Sequence, residues 1–306
     1  ESKAAPAHRS PARAASNRDK TLGLLDLTPT PVTLASGIVL NHVRAGTGPA
    51  LIFIHGAMGD WRAWVQQWDT FTRHFDCIAY SRRYSHPNPN ALESRQHNAL
   101  VDAEDLEGLM DALGIARAIL VGSSYGGFTA LAMAVRAPDR VRALAAVEAP
   151  MMRYALRSKT GAPIAEAFLE ASALPAREAF ERGEDMMGVQ LLTGGIVGKD
   201  PAEIPAPVLE RRMQNARAAR SLSLSDDEFP YIEPDVLAAL PMPVLLMSGA
   251  ETAPVHAAIF SAVTKAMPQA RRRIVEGSGH SVSQQQPETF NREVLGTIGI
   301  GGGAVQ

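Results

Sequence analysis

The chain has 306 residues, a length at which an α/β protein often forms one domain with an insertion. Its hydrophobic content of 46%, charged content of 20% and formal net charge of -2 give no electrostatic reason to expect nucleic acid or an anionic membrane surface as a partner. Cys77 is the single cysteine, which excludes an intrachain disulfide and a cysteine-based zinc site. No apolar run approaches the roughly 20 residues that a membrane helix needs, so we expect a soluble protein without a membrane span.

The two ends of the chain lack hydrophobic periodicity. Residues 1–20 are rich in Ala, Pro, Ser and Arg and predict a flexible N-terminal arm, and the glycine-rich tail 301–306 is also expected to be loose. The sequence begins with Glu1 rather than Met, and it contains no apolar core of a signal peptide. We slightly favour a cytoplasmic location, and a secreted or periplasmic one stays open because the sequence lacks its start.

Between these ends, short apolar runs alternate with helical patterns. The apolar runs predict strands at Ile38–Arg44, Ala50–Ile54, Phe75–Tyr80, Arg117–Val121, Val141–Val147, Val244–Met247 and Arg271–Val275. The helical patterns cover Trp61–His74, Ser94–Leu113, a stretch ending near Val135, and Pro287–Ile298. Such alternation implies parallel strands joined by helices on both faces of a sheet. Residues 35–37 also indicate an antiparallel hairpin at one edge.

The alternation stops between about Pro150 and Leu240. Helical patterns follow one another there without strands, at Ile164–Ala173, Arg177–Leu192 and Pro207–Ser221. A helical insertion between two strands of one sheet is expected to lie over the strand ends as a cap. The predicted organisation is therefore an arm at 1–20, an α/β core at 21–149 and 241–300, and a helical cap at 150–240.

One short motif indicates chemistry. Gly122-Ser123-Ser124-Tyr125-Gly126 fits G-x-S-x-G and lies between a predicted strand and a predicted helix. A serine on such a turn is held in a strained backbone conformation, and it needs small residues two positions before and after it. By this spacing Ser124 is the candidate nucleophile and Ser123 is the variable position, the alternative being a glycine-rich turn without chemistry.

With two further motifs, the chain resembles the α/β-hydrolase fold family over about Val32 to Ile298. These motifs are Ile54-His55-Gly56-Ala57 after an early strand and Gly277-Ser278-Gly279-His280 after the last one. The resemblance implies a mostly parallel central sheet with helices on both faces and an inserted helical cap. It does not fix the reaction, because one fold hosts many chemistries.

The resemblance also implies roles for individual residues. A serine hydroxyl needs a base to take its proton, and the family position for that base is His280. The backbone N–H groups of Ala57 and Tyr125 would form the oxyanion hole.

The third member of the triad is open. Thr252 stands where most family members carry an acid, and a threonine cannot supply a negative charge. Glu251 is one residue early in that loop. Glu148 closes an otherwise apolar strand, where an unpaired buried carboxylate would be costly, and some branches of the family place their acid there. We favour Glu148 and keep Glu251 as the alternative.

Substrate contacts are expected from residues beside these motifs. Met58, Trp61 and Trp64 follow the Gly56–Ala57 loop, although packing between helix and sheet is the alternative role for the tryptophans. Met151 and Tyr154, at the start of the cap, complete the candidates.

The resulting hypothesis is a serine hydrolase, free of metal and cofactor, that cleaves a small-molecule carboxylic ester or lactone through an acyl-enzyme on Ser124. A carbon–carbon bond hydrolase with the same triad is one alternative, and a ligand receptor with slow or no turnover is another. An aspartate nucleophile would have indicated dehalogenase or epoxide hydrolase chemistry, and Ser124 argues against both. No nucleic-acid partner is expected, and the chain is predicted to be a monomer or a homodimer.

Overall fold

A single sheet of eight strands organises the protein. The computed structural model describes residues 22–92 and 94–299, so the predicted arm and the 301–306 tail lie outside the described residues. The strands lie in the order β1-β2-β4-β3-β5-β6-β7-β8. Their bounds are β1 (Thr30–Thr33), β2 (Val39–Ala45), β3 (Ala50–Ile54), β4 (Asp76–Tyr80), β5 (Ala118–Ser123), β6 (Val141–Val147), β7 (Val244–Gly249) and β8 (Arg271–Val275).

The mostly parallel sheet and the early hairpin are confirmed. Strands β3 to β8 pair in parallel, whereas β1 pairs with β2, and β2 with β4, in antiparallel fashion. The hairpin turn is closed by the Leu34 N–H, which donates to the Ile38 carbonyl at 2.8 Å.

Helices connect the strands and fill the long interval between β6 and β7. Their bounds are α1 (Val65–Phe71), α2 (Ala99–Ala112), α3 (Tyr125–Arg136), α4 (Met152–Leu156), α5 (Ala162–Phe168), α6 (Leu174–Glu181), α7 (Asp185–Val197), α8 (Ala206–Met213), α9 (Ala216–Ser223), α10 (Pro234–Ala238), α11 (Pro254–Ala266), α12 (Val282–Gln285) and α13 (Pro287–Thr297). None of these helices is both long enough and apolar enough to cross a membrane.

Strand β3 shows how the sheet separates two cores. Ile52 and Ile54 point to the face covered by α2, α3 and α11, whereas Leu51 and Phe53 point to the face covered by α1 and α13. This alternation follows from the two-residue period of a strand, and a central strand with helices on both faces is therefore apolar throughout. Helices on both faces were predicted, and the two cores confirm them.

Several helices differ from their predicted bounds. Helix α2 begins at Ala99 rather than near Ser94, because the Asn98 side chain caps it by accepting from the N–H groups of the first turn. The predicted helix Arg177–Leu192 is divided into α6 and α7 at Gly183, whose φ of +79° ends a helix. The pattern Pro207–Ser221 is likewise divided, into α8 and α9. The predicted helix Trp61–His74 begins with a 3₁₀ turn, which precedes α1.

The sheet has a topological switch point between β3 and β5. The chain leaves β3 for β4 on one side, returns to β5 on the other side, and then continues outward through β6, β7 and β8. Connections therefore depart in opposite directions at the carboxyl ends of β3 and β5, and a crevice forms where they separate. The two motifs that end β3 and β5 meet at this crevice.

Close approach of α3 to the end of β3 requires a glycine. A Cβ atom at Gly126 would lie 2.0 Å from the Ile54 carbonyl oxygen. We expect Gly126→Ala to lower the free energy of unfolding by about 1–3 kcal/mol or more, because backbone must move to admit the methyl group. Denaturant unfolding measures this change.

Gly296→Ala is the matched control. A Cβ there would meet only the end of Arg271 at 3.5 Å, and alanine is a better helix former than glycine. This variant should be as stable as the wild type or more stable by up to about 1 kcal/mol. Equal stability of Gly126→Ala and the wild type would contradict the close packing described above.

Candidate active site

Ser124 occupies a strained turn between β5 and α3. Its φ of 53° and ψ of -123° are unusual for a residue with a side chain. The Ser124 N–H donates to the Val147 carbonyl at 2.7 Å, and the Ser124 carbonyl accepts from Gly127 and Phe128. Of the non-glycine residues that the structure describes, only Ser124 and Glu148 have positive φ. Such strain persists where surrounding contacts impose it, and it concentrates at functional sites.

Two backbone N–H groups lie beside this serine without acceptors. Ala57 follows β3, Tyr125 opens α3, and both line the same cavity as Ser124. Within the described part of the chain, neither N–H donates a hydrogen bond to protein. Unpaired backbone donors at one point are what a developing oxyanion requires.

The direction of the Ala57 N–H is set by a buried arginine. Arg82 donates from Nη1 to the Gly56 carbonyl at 3.0 Å. Because the carbonyl and the following N–H of a trans peptide point in opposite directions, this bond turns the Ala57 N–H away from Arg82. His55 assists, since its Nδ1 lies 2.8 Å from the same carbonyl.

The protonation state of His55 follows from its neighbours. Its Nε2 accepts from the Arg82 N–H at 2.9 Å, so the proton must reside on Nδ1. Burial, with the positive charge of Arg82, lowers the pKa of His55 to about 4, and the ring is therefore neutral at neutral pH.

Arg82 is itself paired below the site. Its Nε donates to Asp102 at 2.9 Å, and the two side chains are only 2% and 1% exposed. Burial would raise the pKa of Asp102, but the adjacent guanidinium outweighs that effect and holds the pKa below its usual value. The guanidinium also lies 4.9 Å from the centre of the Tyr125 ring. One buried cation thus contacts the carbonyl of the peptide that joins Gly56 to Ala57 and the side chain of Tyr125.

Glu148 follows β6 and is held by four donors. Its side chain is fully buried. Oε1 accepts from Ser248 Oγ at 2.8 Å and from the Gly249 N–H at 2.9 Å. Oε2 accepts from Thr252 Oγ1 at 2.9 Å and from His280 Nδ1 at 2.6 Å. Burial pushes the pKa of Glu148 up, but these hydrogen bonds and the nearby histidines hold it below its usual value.

The state of Glu148 determines the tautomer of His280. An ionised carboxylate only accepts hydrogen bonds, so Nδ1 of His280 carries the proton and Nε2 carries the lone pair. An imidazole in this state can act as a base through Nε2.

The structure brings Glu148, and not Glu251, to His280. Glu251 is exposed, and its carboxylate makes no hydrogen bond or ion pair with any described residue. Thr252, at the position where the resemblance implies an acid, instead donates its hydroxyl proton to Glu148. The geometry therefore favours the first of the two candidate acids.

His256 is a feature that sequence reasoning missed. Its ring stacks on His280 with centroids 4.2 Å apart, and its Nε2 lies 2.9 Å from the Ile196 carbonyl at the end of α7. Burial and the neighbouring His280 lower the pKa of His256 to about 3, so this ring stays neutral beside its partner. A lone histidine at the start of a helix carries no local signal of this contact.

Glu148, His256 and His280 offer ligand atoms within 4.8 Å of one another, the spacing of a possible metal site. The donors already described occupy both Glu148 oxygens, and one of those donors is His280 Nδ1. The hydrogen-bond network therefore accounts for this cluster without a metal.

The cavity above Ser124 is lined mainly by apolar side chains. Most belong to the helical segment between β6 and β7, and the others come from the loops after β3 and β5 and from α11. The lining residues from that segment are Pro150, Met152, Phe168, Ala173, Leu192, Ile196, Ala219, Leu222, Ser223, Glu228 and Phe229.

The five predicted substrate contacts lie outside this lining. Trp61 and Trp64 pack under the sheet, where Trp64 stacks on Phe53 at 4.9 Å, which corrects the prediction in favour of helix–sheet packing. Met58 packs against the small core of the inserted helices. Met151 is buried in the main core, and the hydroxyl of Tyr154 donates to the Ile232 carbonyl at 2.7 Å. Wall positions depend on helix orientations that proximity to a motif does not reveal.

Comparison with known proteins identifies the family. The model of the alpha/beta hydrolase family matches residues 51–293. The chain belongs to this family. The carboxylesterase YbfK of Bacillus subtilis is 28% identical over 290 residues, which cover 90% of each chain.

Among solved structures, Est816, described as an N-acyl homoserine lactone degrading enzyme, superimposes with a TM-score of 0.67 at 19% identity over 85% of this chain and 97% of that one. A structure described under novel epoxide hydrolases from metagenomes of hot environments gives 0.70 at 24% identity, over 89% and 98%. This hydrolase therefore shares its fold with proteins of different activities.

The two candidate acids can be ranked by mutation. We expect Glu148→Gln to lower kcat by up to about 10⁴-fold, because an amide does not stabilise the imidazolium, as an Asp-to-Asn change shows in a serine-protease triad. Glu251→Gln, a carboxylate in solvent, should cost little. Ester hydrolysis measures the rates, and circular dichroism checks that both variants fold. The reverse ranking would return the acid to the loop after β7.

Arg82→Lys tests whether Arg82 orients the Ala57 N–H. A lysine keeps the positive charge near Asp102, but its single ammonium group lacks the forked donors with which a guanidinium also binds the Gly56 carbonyl. We expect kcat to fall at least about tenfold with KM little changed, because the oxyanion develops mainly in the transition state. Arg83→Lys is the control, since Arg83 pairs with Asp105 and not with Gly56. Equal rates in the two variants would contradict the role of Arg82.

Proposed function

We propose that this hydrolase cleaves carboxylic esters or lactones with Ser124 as nucleophile, His280 as base and Glu148 as the acid that orients it. The observation that carries the proposal is the 2.6 Å contact between His280 Nδ1 and Glu148, which leaves Nε2 as the acceptor. The strained turn at Ser124 and the unpaired N–H groups of Ala57 and Tyr125 support it. No metal or cofactor is required for this chemistry.

The proposed reaction has two halves. Ser124 Oγ attacks the carbonyl carbon while His280 Nε2 takes the hydroxyl proton, and the resulting oxyanion accepts from the N–H groups of Ala57 and Tyr125. The intermediate collapses, the alcohol leaves with the proton held by His280, and an acyl-enzyme remains on Ser124. Water then loses a proton to His280 and attacks the acyl carbon, which releases the acid and restores the serine.

The surroundings of His280 suit the charge that this reaction creates. The imidazole becomes positive in each half, and Glu148 supplies a buried negative charge against Nδ1. His256 stacks on the same ring but stays neutral, since its pKa is lowered to about 3. The stacked neighbour therefore fills space against the base without repelling the imidazolium.

Two of the similar proteins support the choice of an ester or lactone as substrate. The similar chain YbfK is named a carboxylesterase, and Est816 is described as acting on N-acyl homoserine lactones. The epoxide hydrolase neighbour shares the fold, but a serine rather than an aspartate at the turn disfavours that chemistry here. The inserted helices would act as the cap that shapes the acyl pocket. The oligomeric state, monomer or homodimer, stays a prediction.

Ser124→Ala and Ser123→Ala form a matched pair. Ser124→Ala should abolish hydrolysis and labelling by a fluorophosphonate while the fold is retained, because the turn tolerates a small side chain. Ser123→Ala should retain most of the activity. Turnover of p-nitrophenyl esters and mass spectrometry of the labelled protein measure both effects. An active Ser124→Ala and an inactive Ser123→Ala would place the nucleophile one residue earlier.

A substrate panel separates the proposed reaction from its alternatives. Esters and lactones should be hydrolysed by the wild type and not by Ser124→Ala. Turnover confined to 1,5-diketones would indicate a carbon–carbon bond hydrolase instead. Labelling of Ser124 without turnover of any of these compounds would indicate a ligand receptor.

A further inference from the structure

Glu228 places a carboxyl group in the wall of the apolar cavity. The residue lies between α9 and α10 and lines the same cavity as Ser124, beside Leu222 and Phe229. In sequence it ends the run Asp226-Asp227-Glu228, which has the composition of a solvated loop. In the tertiary structure Glu228 is half-buried, and it is the one acid of this run that lines the cavity.

The neighbouring acids have partners that Glu228 lacks. Asp227 forms an ion pair with Arg153 at 2.6 Å, and Asp226 lies 3.5 Å from Arg95. In residues 22–92 and 94–299, no group donates a hydrogen bond to the Glu228 carboxyl or forms an ion pair with it. Its hydrogen-bonding capacity is therefore available to a ligand in the cavity.

The guanidinium that acts on Glu228 is already hydrogen-bonded to other groups. Arg177 on α6 donates from Nη1 to the carbonyls of Ser223 and Ser225, at 3.1 and 3.0 Å. Its positive charge acts on Glu228 without a direct contact. A second cation entering the cavity would meet this charge, so the surroundings favour an uncharged ligand group.

The position of Glu228 is tied to the proposed oxyanion hole. The Tyr125 hydroxyl donates to the Glu228 carbonyl at 2.5 Å. Tyr125 is also the residue whose backbone N–H lies unpaired beside Ser124. The backbone of Glu228 is thereby held at a defined distance from the reacting centre, as a group that selects substrates must be.

The protonation state of Glu228 defines what it can bind. Burial raises its pKa to about 8, against the opposing charge of Arg177, so the carboxyl is mainly neutral at pH 7. A neutral carboxyl both donates and accepts, and it pairs best with a group that does the same, such as a secondary amide or a hydroxyl. Ser223 also lines the cavity, and its hydroxyl has no hydrogen-bond partner among the described residues.

We propose that Glu228 is a specificity-determining residue, and that its carboxyl hydrogen-bonds an uncharged amide or hydroxyl carried by the substrate within the apolar cavity. The preferred substrates are then esters or lactones with one such polar group in an otherwise apolar chain. This inference rests on the proposed function, since it assigns the substrate class of the same site.

Matched substrates test the proposal. The probes are p-nitrophenyl esters of equal length whose acyl chains are fully alkyl, contain a secondary amide at successive positions, or end in an ammonium group. The wild type should favour at least one amide ester over the alkyl ester by about tenfold in kcat/KM, the size of one buried hydrogen bond.

Two substitutions at Glu228 separate hydrogen bonding from charge. Glu228→Gln keeps a neutral group that donates and accepts, and should keep the preference for the amide. Glu228→Leu should reduce the amide-to-alkyl ratio of kcat/KM about tenfold. Asp226→Asn, in the same loop but exposed, should leave the ratio at its wild-type value.

Two results would overturn the proposal. One is an unchanged amide-to-alkyl ratio in Glu228→Leu with a native circular dichroism spectrum. The other is a preference of the wild type for the ammonium ester that disappears in Glu228→Gln, since this would mean recognition of charge. If no ester or lactone is turned over, the proposed function fails by itself. Calorimetric binding of the amide and alkyl esters to Ser124→Ala, with and without Glu228→Leu, then tests Glu228 independently.

Discussion

A buried carboxylate that must be satisfied is the constraint on which this site depends. Glu148 has no accessible side-chain surface, and an ionised group in that position is tolerated only when donors surround it. The donors come from the end of β7, from the loop beyond it, and from His280 after β8. Satisfying one charge therefore fixes three loops relative to one another, and with them the orientation of the imidazole.

A second buried charge, that of Arg82, also fixes neighbouring segments of the site relative to one another. Arg82 lies after β4, is neutralised by Asp102 on α2, and holds the Gly56 carbonyl at the end of β3. The two charges have opposite signs and separate partners, so each can be satisfied without the other. Between them the switch point of the sheet holds a serine on a strained turn and two unpaired N–H groups. The polar groups are thus oriented before any substrate arrives, which is what electrostatic catalysis requires.

Among the polar contacts that join the inserted helices to this core, two start beside the apolar cavity. The Tyr125 hydroxyl donates to the Glu228 carbonyl, and His256 hydrogen-bonds the Ile196 carbonyl, so one link starts beside Ser124 and the other beside His280. The strand ends carry the proposed reacting groups, whereas the inserted helices supply most of the cavity wall.

The sequence by itself determined the sheet, the two helical layers and the short motifs that contain Ala57, Ser124 and His280, because these depend on the local hydrophobic period and on turn geometry. Strands such as Ala50–Ile54, Val141–Val147 and Arg271–Val275 were predicted with the observed bounds. It also reduced the acid to two candidates, since Thr252 cannot carry a charge. Only the tertiary structure decided which carboxylate meets His280, that His256 stacks on it, that Trp61 and Trp64 pack beneath the sheet, and that Glu228 faces the cavity. Some of these contacts join residues that lie far apart in the chain, such as Glu148 and His280, which are 132 positions apart. They arise from the packing of whole elements and the need to satisfy buried charges, and neither leaves a periodic trace in the chain.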